Sequence, residues 1–145
     1  MIRFFAFAGA LLIASPAMAS DQGDVMATVH AFVAAIDKGD MTAAAATHTD
    51  APAIIDEFPP HHWSSLASWA ADFGKDSAAH GITEPLLTLH TAHRITISGE
   101  TAYVVVPTDY SFKRDGKKRV EHATMTYALT HTASGWLIAG WAFSW

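Results

Sequence analysis

No cysteine occurs among the 145 residues. A disulfide scaffold and a thiol nucleophile are therefore both excluded. Positive charge is scarce as well: nine Lys and Arg face fourteen Asp and Glu, a formal charge of −5. Binding nucleic acid needs a basic face, so no nucleic-acid partner is expected. The one basic run, Lys113-Arg114 with Lys117-Lys118-Arg119, flanks Asp115-Gly116 and reads as a solvated hairpin tip. Nucleophile elbows, phosphate-binding glycine loops, internal repeats, long linkers and low-complexity stretches are all missing.

What is present begins with a leader. Arg3 supplies a positive start, Phe4 to Ala14 is an uncharged apolar run, and Ala17-Met18-Ala19 is a small-x-small cleavage site. The run falls short of the ~20 residues a bilayer span requires. The expectation is a signal peptide over residues 1–19, cut between Ala19 and Ser20, and a periplasmic or secreted protein with no membrane attachment after cleavage. Residues 20–145 then form a single domain, made more acidic by the loss of Arg3. Without disulfides, its stability must come from a packed core, which half-apolar composition and five tryptophans can supply.

Periodicity divides that domain in two. Val25, Val29, Phe32, Val33 and Ile36 mark one face of a helix, with Asp21 or Asp24 as its cap and Gly39 as its stop. Asp40 caps a second, short helix through Ala43 to Ala46, closed off by Ala51-Pro52. Ser64 or Ser65 caps a third, with Leu66, Trp69, Ala70 and Phe73 on one face and Gly81 at its end. Beyond Thr83 the texture becomes β-branched and aromatic at period two. Leu87 to Ile97 reads as one long strand, followed by Ala102–Lys113, Val120–Thr132 and Trp136–Trp145. Three helices followed by an antiparallel meander is an α+β order. A long twisted sheet curls, here around the helices.

Strict alternation in the last strand puts Leu137, Ala139, Trp141, Phe143 and Trp145 on one face, with Trp136, Ile138 and Ala142 on the other. Both faces are then apolar, whereas a sheet covered on one side should have a polar back. The expected remedy is a homodimer through the sheet face.

Chemistry concentrates in Ile54-Ile55-Asp56-Glu57-Phe58-Pro59-Pro60-His61-His62-Trp63. As a short strand it alternates, with Ile54, Asp56 and Phe58 inward and Glu57 outward. Asp56 in such company is desolvated, which raises a carboxyl pKa toward proton-transfer chemistry. The plainer alternative is a buried structural carboxylate paired with Arg94 or a histidine. His61 and His62 follow the prolines and are expected at a pocket rim, as ligand contacts or, more simply, as exposed loop histidines, with Trp63 beside them. Tyr110 and Trp141 are further expected in an apolar cavity for a small molecule, Tyr110 contributing a hydroxyl. Nine histidines invite a metal reading, but His90 and His93 differ in strand parity, as do His122 and His131. Neither a metal nor a cofactor is expected.

Three stretches resemble the nuclear transport factor 2-like (NTF2-like) superfamily, whose members include ketosteroid isomerases and SnoaL-type cyclases. They are Ala31-Phe32-Val33-Ala34-Ala35-Ile36-Asp37-Lys38-Gly39-Asp40, Gly99-Glu100-Thr101-Ala102-Tyr103-Val104 and Gly135-Trp136-Leu137-Ile138. The resemblance implies a cone-shaped fold, three N-terminal helices packed on a curved antiparallel sheet. It places Asp56 at the position of the ketosteroid isomerases' general base. It also places Phe32 where they carry an oxyanion-binding tyrosine, and their second acid has no assignable counterpart. Losing an oxyanion donor removes roughly 3–4 kcal/mol of transition-state stabilisation. Three readings follow. The first is binding of a small, largely apolar ligand, with Phe32 among the contacts. The second is a proton-transfer enzyme of isomerase, cyclase or lyase type using Asp56. The third is a homodimeric interaction module without catalysis.

Overall fold

The computed structural model describes residues 16–145. Most of the expected leader, residues 1–15, lies outside them. Helix α1 runs over Pro16–Asp37 without interruption. Asp21 and Asp24 are thus inside it and cap nothing. Pro16, with its preset φ, is suited to a first helical turn, and nothing between it and Val25 breaks a helix. Val25, Val29, Phe32 and Val33 are buried on one face. Gly39, at φ 69°, reverses the chain, its N–H donating to Ile36 C=O at 2.9 Å. Asp40 caps α2 (Met41–Ala46), accepting from the Ala43 N–H at 2.9 Å.

α2 stops well short of Pro52. Strand β1 already occupies His48–Ile55, with the proline inside it. β1 runs parallel to the last strand, and their register slips between His48 and Ala53. That irregularity accommodates a residue with no N–H to offer a ladder. A hairpin leads to β2 (His62–Trp63), then Ser65 caps α3 (Leu66–Ala79) by accepting from the Ser68 N–H at 3.2 Å. Gly81, at φ 63°, follows that helix.

The expected long strand from Leu87 to Ile97 is two strands, β3 (Ile82–Leu89) and β4 (Arg94–Ser98). Both pair with β5 (Thr101–Arg114) and lie end to end along it. Pro107 of β5 explains the gap: its C=O accepts from the His90 N–H at 2.9 Å, but it has no N–H to return. The next bond is from His93 N–H to Val105 C=O, so Thr91 and Ala92 are left out of the ladder. Asp115 and Gly116, at φ 52° and 72°, form the tight turn into β6 (Lys117–Thr132), and β7 (Gly135–Ser144) completes the sheet. The strand order is β2-β1-β7-β6-β5-β3, with β4 also on β5. The sheet is curved and open, with three helices, the α+β architecture expected from the sequence.

In β7 strict alternation fails. Ala128 pairs with Gly140 while Leu129 pairs with Ile138, so Ala139 is an extra residue in a β-bulge. The bulge moves Trp141 and Phe143 to the inner face, with Trp136 and Ile138. Ile138 and Trp141 are 0% and 4% exposed, and Leu137 and Ala139 point the other way. The two-sided apolar strand expected from the sequence is therefore one-sided. Its large residues share the helix-covered core.

Candidate functional site

Between α1, α3 and the inner face of the sheet lies a cavity of about 320 Å³. Its walls are mostly aromatic and aliphatic: Phe32, Val33 and Ile36 from α1, Trp69 and Phe73 from α3, Leu87 from β3, Met125 from β6, and Trp141 and Phe143 from β7. Trp69 stacks on Phe73 at 5.3 Å between ring centres and meets Trp141 edge-on at 5.1 Å. Phe32 lies 5.9 Å from Trp141.

Asp56 borders this cavity from the turn that follows β1. Its Oδ2 accepts from the Trp69 indole N–H at 2.9 Å, and its Oδ1 from the Glu57 backbone N–H at 2.8 Å. Arg94 is an exposed β4 residue, and no ion pair to Asp56 forms among the described residues. Burial pushes the Asp56 pKa up; the two hydrogen bonds oppose this and the nearby Asp76 charge reinforces it.

Glu57 is exposed, as its outward parity implies, yet it also borders the cavity. β1 ends at Ile55, so the alternation of a strand no longer fixes where Glu57 points. Its pKa is pushed up to about 7, first by burial and then by the charges of Asp56, Glu121 and Asp76.

Three polar groups on the cavity wall have no partner. The Tyr110 hydroxyl, the Trp141 indole N–H and the Ser77 hydroxyl are each buried without a hydrogen bond. Burial also raises the Tyr110 pKa above the usual phenol value. Ser77 carried no signal in the sequence: it is one hydroxyl near the end of a helix, and only packing of α3 brings it here.

Phe32, Asp56, Tyr110 and Trp141 are therefore brought together, whereas His61, His62 and Trp63 are not among the lining residues. The pairing of β2 with β1 sets Ile55 opposite His62 and Ile54 opposite Trp63. Cross-strand partners share a face. His62 is accordingly exposed like Ile55, and Trp63 is buried like Ile54. Trp63 packs on Phe58, itself a lining residue, at 4.8 Å and donates to Asp72 at 3.1 Å. His61 sits exposed in the turn at φ 69°, its N–H donating to Phe58 C=O at 2.9 Å.

Histidines also meet on the outer face, away from the cavity. His90 Nε2 is 3.1 Å and His122 Nδ1 2.7 Å from the two oxygens of Asp109, a trio spread over β3–β4, β5 and β6. These are not the sequence neighbours weighed as metal pairs. Among the described residues no three His, Asp or Glu side chains are placed to hold a metal ion.

Comparison with known families decides the relationship. The SnoaL-like domain matches residues 25–145. The chain belongs to the SnoaL-like domain family. Solved structures of NTF2-like proteins share the fold of this SnoaL-like domain. An NTF2-like superfamily protein from Salmonella enterica serovar Typhimurium shares 17% identity at a TM-score of 0.73, over 88% of this chain and 92% of that one. A ketosteroid isomerase-like protein from Erwinia carotovora atroseptica shares 17% at 0.64, over 86% and 95%. An NTF2-like protein with a cystatin-like fold from Novosphingobium aromaticivorans shares 14% at 0.69, over 88% and 82%. Identities this low speak for the SnoaL-like fold alone. No curated protein matches the sequence.

Proposed function

We propose that this SnoaL-like domain binds a small, largely apolar molecule in its cone cavity. One observation carries the reading: Tyr110, Trp141 and Ser77 present buried polar atoms without protein partners on the wall of an aromatic cavity. Each unsatisfied buried group costs roughly 1–3 kcal/mol, and native structures rarely leave several together. A ligand with an apolar body and a few polar atoms removes that cost. The volume, about 320 Å³, is at the lower end of the ~300–1,000 Å³ typical of small-molecule sites.

Native mass spectrometry of the purified protein tests this. A discrete co-purifying mass is expected, and Trp141→Phe, which keeps an aromatic ring but deletes the donor and part of the indole's bulk, should weaken its retention about 5- to 30-fold, on the scale of one buried hydrogen bond left unmade. A wild type that carries nothing and gives no indole fluorescence change with any member of a small-molecule panel would sink the binding reading.

A second reading has its own support in Asp56. A carboxyl group bordering an apolar cavity, raised in pKa and oriented by the Trp69 N–H, is equipped to accept a proton. Phe32 offers no oxyanion donor, but the unpartnered Tyr110 hydroxyl reaches the same cavity from β5. If this reading is right, deuterium from D₂O enters the acidic carbon of a bound cyclic ketone, and Asp56→Asn slows exchange at least ~100-fold, the scale of general-base catalysis. Equal exchange by wild type and Asp56→Asn removes Asp56 as a base.

A further inference from the structure

The cavity's charge has one sign. Four carboxylates border it: Asp37 from α1, Asp56 and Glu57 from the turn after β1, and Asp76 from α3. No lysine, arginine or histidine lines it among the described residues. An adjoining hollow of about 300 Å³ shares Glu57, Asp76 and Tyr110 with it and adds Glu121 from β6. Two basic side chains, His80 and Arg114, also line that hollow, each held against its wall. His80 lies 3.3 Å from Asp76, and the Arg114 guanidinium sits 5.2 Å over the Phe112 ring.

A second observation is independent of these carboxylates. Trp141 is 4% exposed, lines the cavity, and has an indole N–H with no acceptor. The occupant must therefore present an acceptor to it. It also meets Asp37, Asp56 and Glu57, which form no ion pair among the described residues.

We propose that the cavity takes a small organic cation: an ammonium group on an aromatic or alicyclic body, with an oxygen acceptor for the Trp141 N–H. This rests on the binding reading above and names its ligand class. An anion would sit among like charges, and a neutral molecule would leave Asp37, Asp56 and Glu57 without a cationic partner. An ammonium gains charge-assisted hydrogen bonds from them and the attraction of the Trp69, Phe73 and Phe143 ring faces. Glu57, at about 7, shares a proton with solvent at neutral pH, and a bound ammonium favours its ionised form. Binding then releases a proton and tightens as pH rises.

The matched probes are tyramine, its alcohol analogue tyrosol and the corresponding hydroxyphenylpropanoate, titrated calorimetrically into the full chain. At pH 8, tyramine should bind about ten-fold or more tighter than tyrosol, with the propanoate weakest. At pH 5.5 the preference should shrink to about three-fold or less as Glu57 protonates. Glu57→Gln should shrink the pH 8 preference at least three-fold, tyramine losing more affinity than tyrosol. Asp76→Asn repeats the test from α3 if the first variant melts early. Equal affinity for tyramine and tyrosol, a lead for the propanoate, or a preference intact in both variants overturns the cation inference and leaves the binding reading standing. Failure of all three probes to bind overturns the cation inference and counts against the cavity itself.

Discussion

Glu57 and His48 are both polar side chains taken partly or wholly out of water, and they respond to pH in opposite directions. The Glu57 pKa rises from an ordinary 4.5 to about 7 on folding. The folded state thus holds a proton that the unfolded chain has lost, and stability declines as pH rises from about 4.5 through about 7. Glu57→Gln should raise the thermal midpoint at pH 8 and leave it unchanged at pH 4, both read by circular dichroism melts. The gain should be a few degrees at most, because the side chain is partly open to water. His48 is 7% exposed, its Nδ1 2.9 Å from Ala44 C=O and its ring 4.7 Å edge-on to Phe32. Burial lowers its pKa, so below about 6.5 the unfolded chain takes up a proton that the folded one resists. Stability therefore falls as pH drops below that value. His48→Leu should flatten the slope between pH 6.5 and 5, at the cost of the Ala44 hydrogen bond at every pH. The position of Asp56 could be read from its neighbours in the chain. The environment of Glu57 could not: two of the charges that shift it, Glu121 and Asp76, arrive from β6 and α3.

At the scale of elements, caps and turns were legible because their causes are local. Asp40, Ser65, Gly39 and Asp115-Gly116 each act within a few residues of themselves. The β7 bulge and the split between β3 and β4 were not, because the partner strand decides both. Pro107 was visible in the sequence, but its effect on His90–His93 needs the knowledge that β3 and β4 share β5 as neighbour. Gly140, next to the bulge, is a position the sequence did not flag. A Cβ there would lie 2.6 Å from the Ala53 carbonyl oxygen, since β1 runs in parallel against β7 at that point. Backbone cannot step aside as a flexible side chain can. Gly140→Ala should cost about 1–3 kcal/mol by overpacking, seen as a lower urea midpoint with an unchanged m-value.

For the whole molecule, the bulge also alters the case for a second subunit. The outer face has lost Trp141 and Phe143 and retains exposed Tyr103 and Val120 among threonines, His122 and Asp109. We propose that two copies still pair there, on that narrower footing, since interfaces need be no more apolar than ordinary surface. Light scattering during size exclusion should give twice the chain mass, and Tyr103→Arg should halve it. A monomeric wild type ends the proposal. We propose export as well: the periplasmic or secreted protein should begin at Ser20 by intact mass. That cut shortens α1 from its outer end and spares Val25, where its buried face begins.

Composition and periodicity were enough to read an α+β order of three helices and a curled antiparallel sheet, and the resemblance implied the cone, because those signals repeat every two or every 3.6 residues and survive the loss of distant context. They were also enough to single out Asp56. Only the tertiary structure decided which side chains share the cavity. It turned His61, His62 and Trp63 away through the β1–β2 register, drew Glu57 and Ser77 in, and used one extra residue in β7 to bring Trp141 onto the inner face. Each of these depends on a neighbour remote in sequence, and a single-residue register shift in a strand reverses every side chain beyond it.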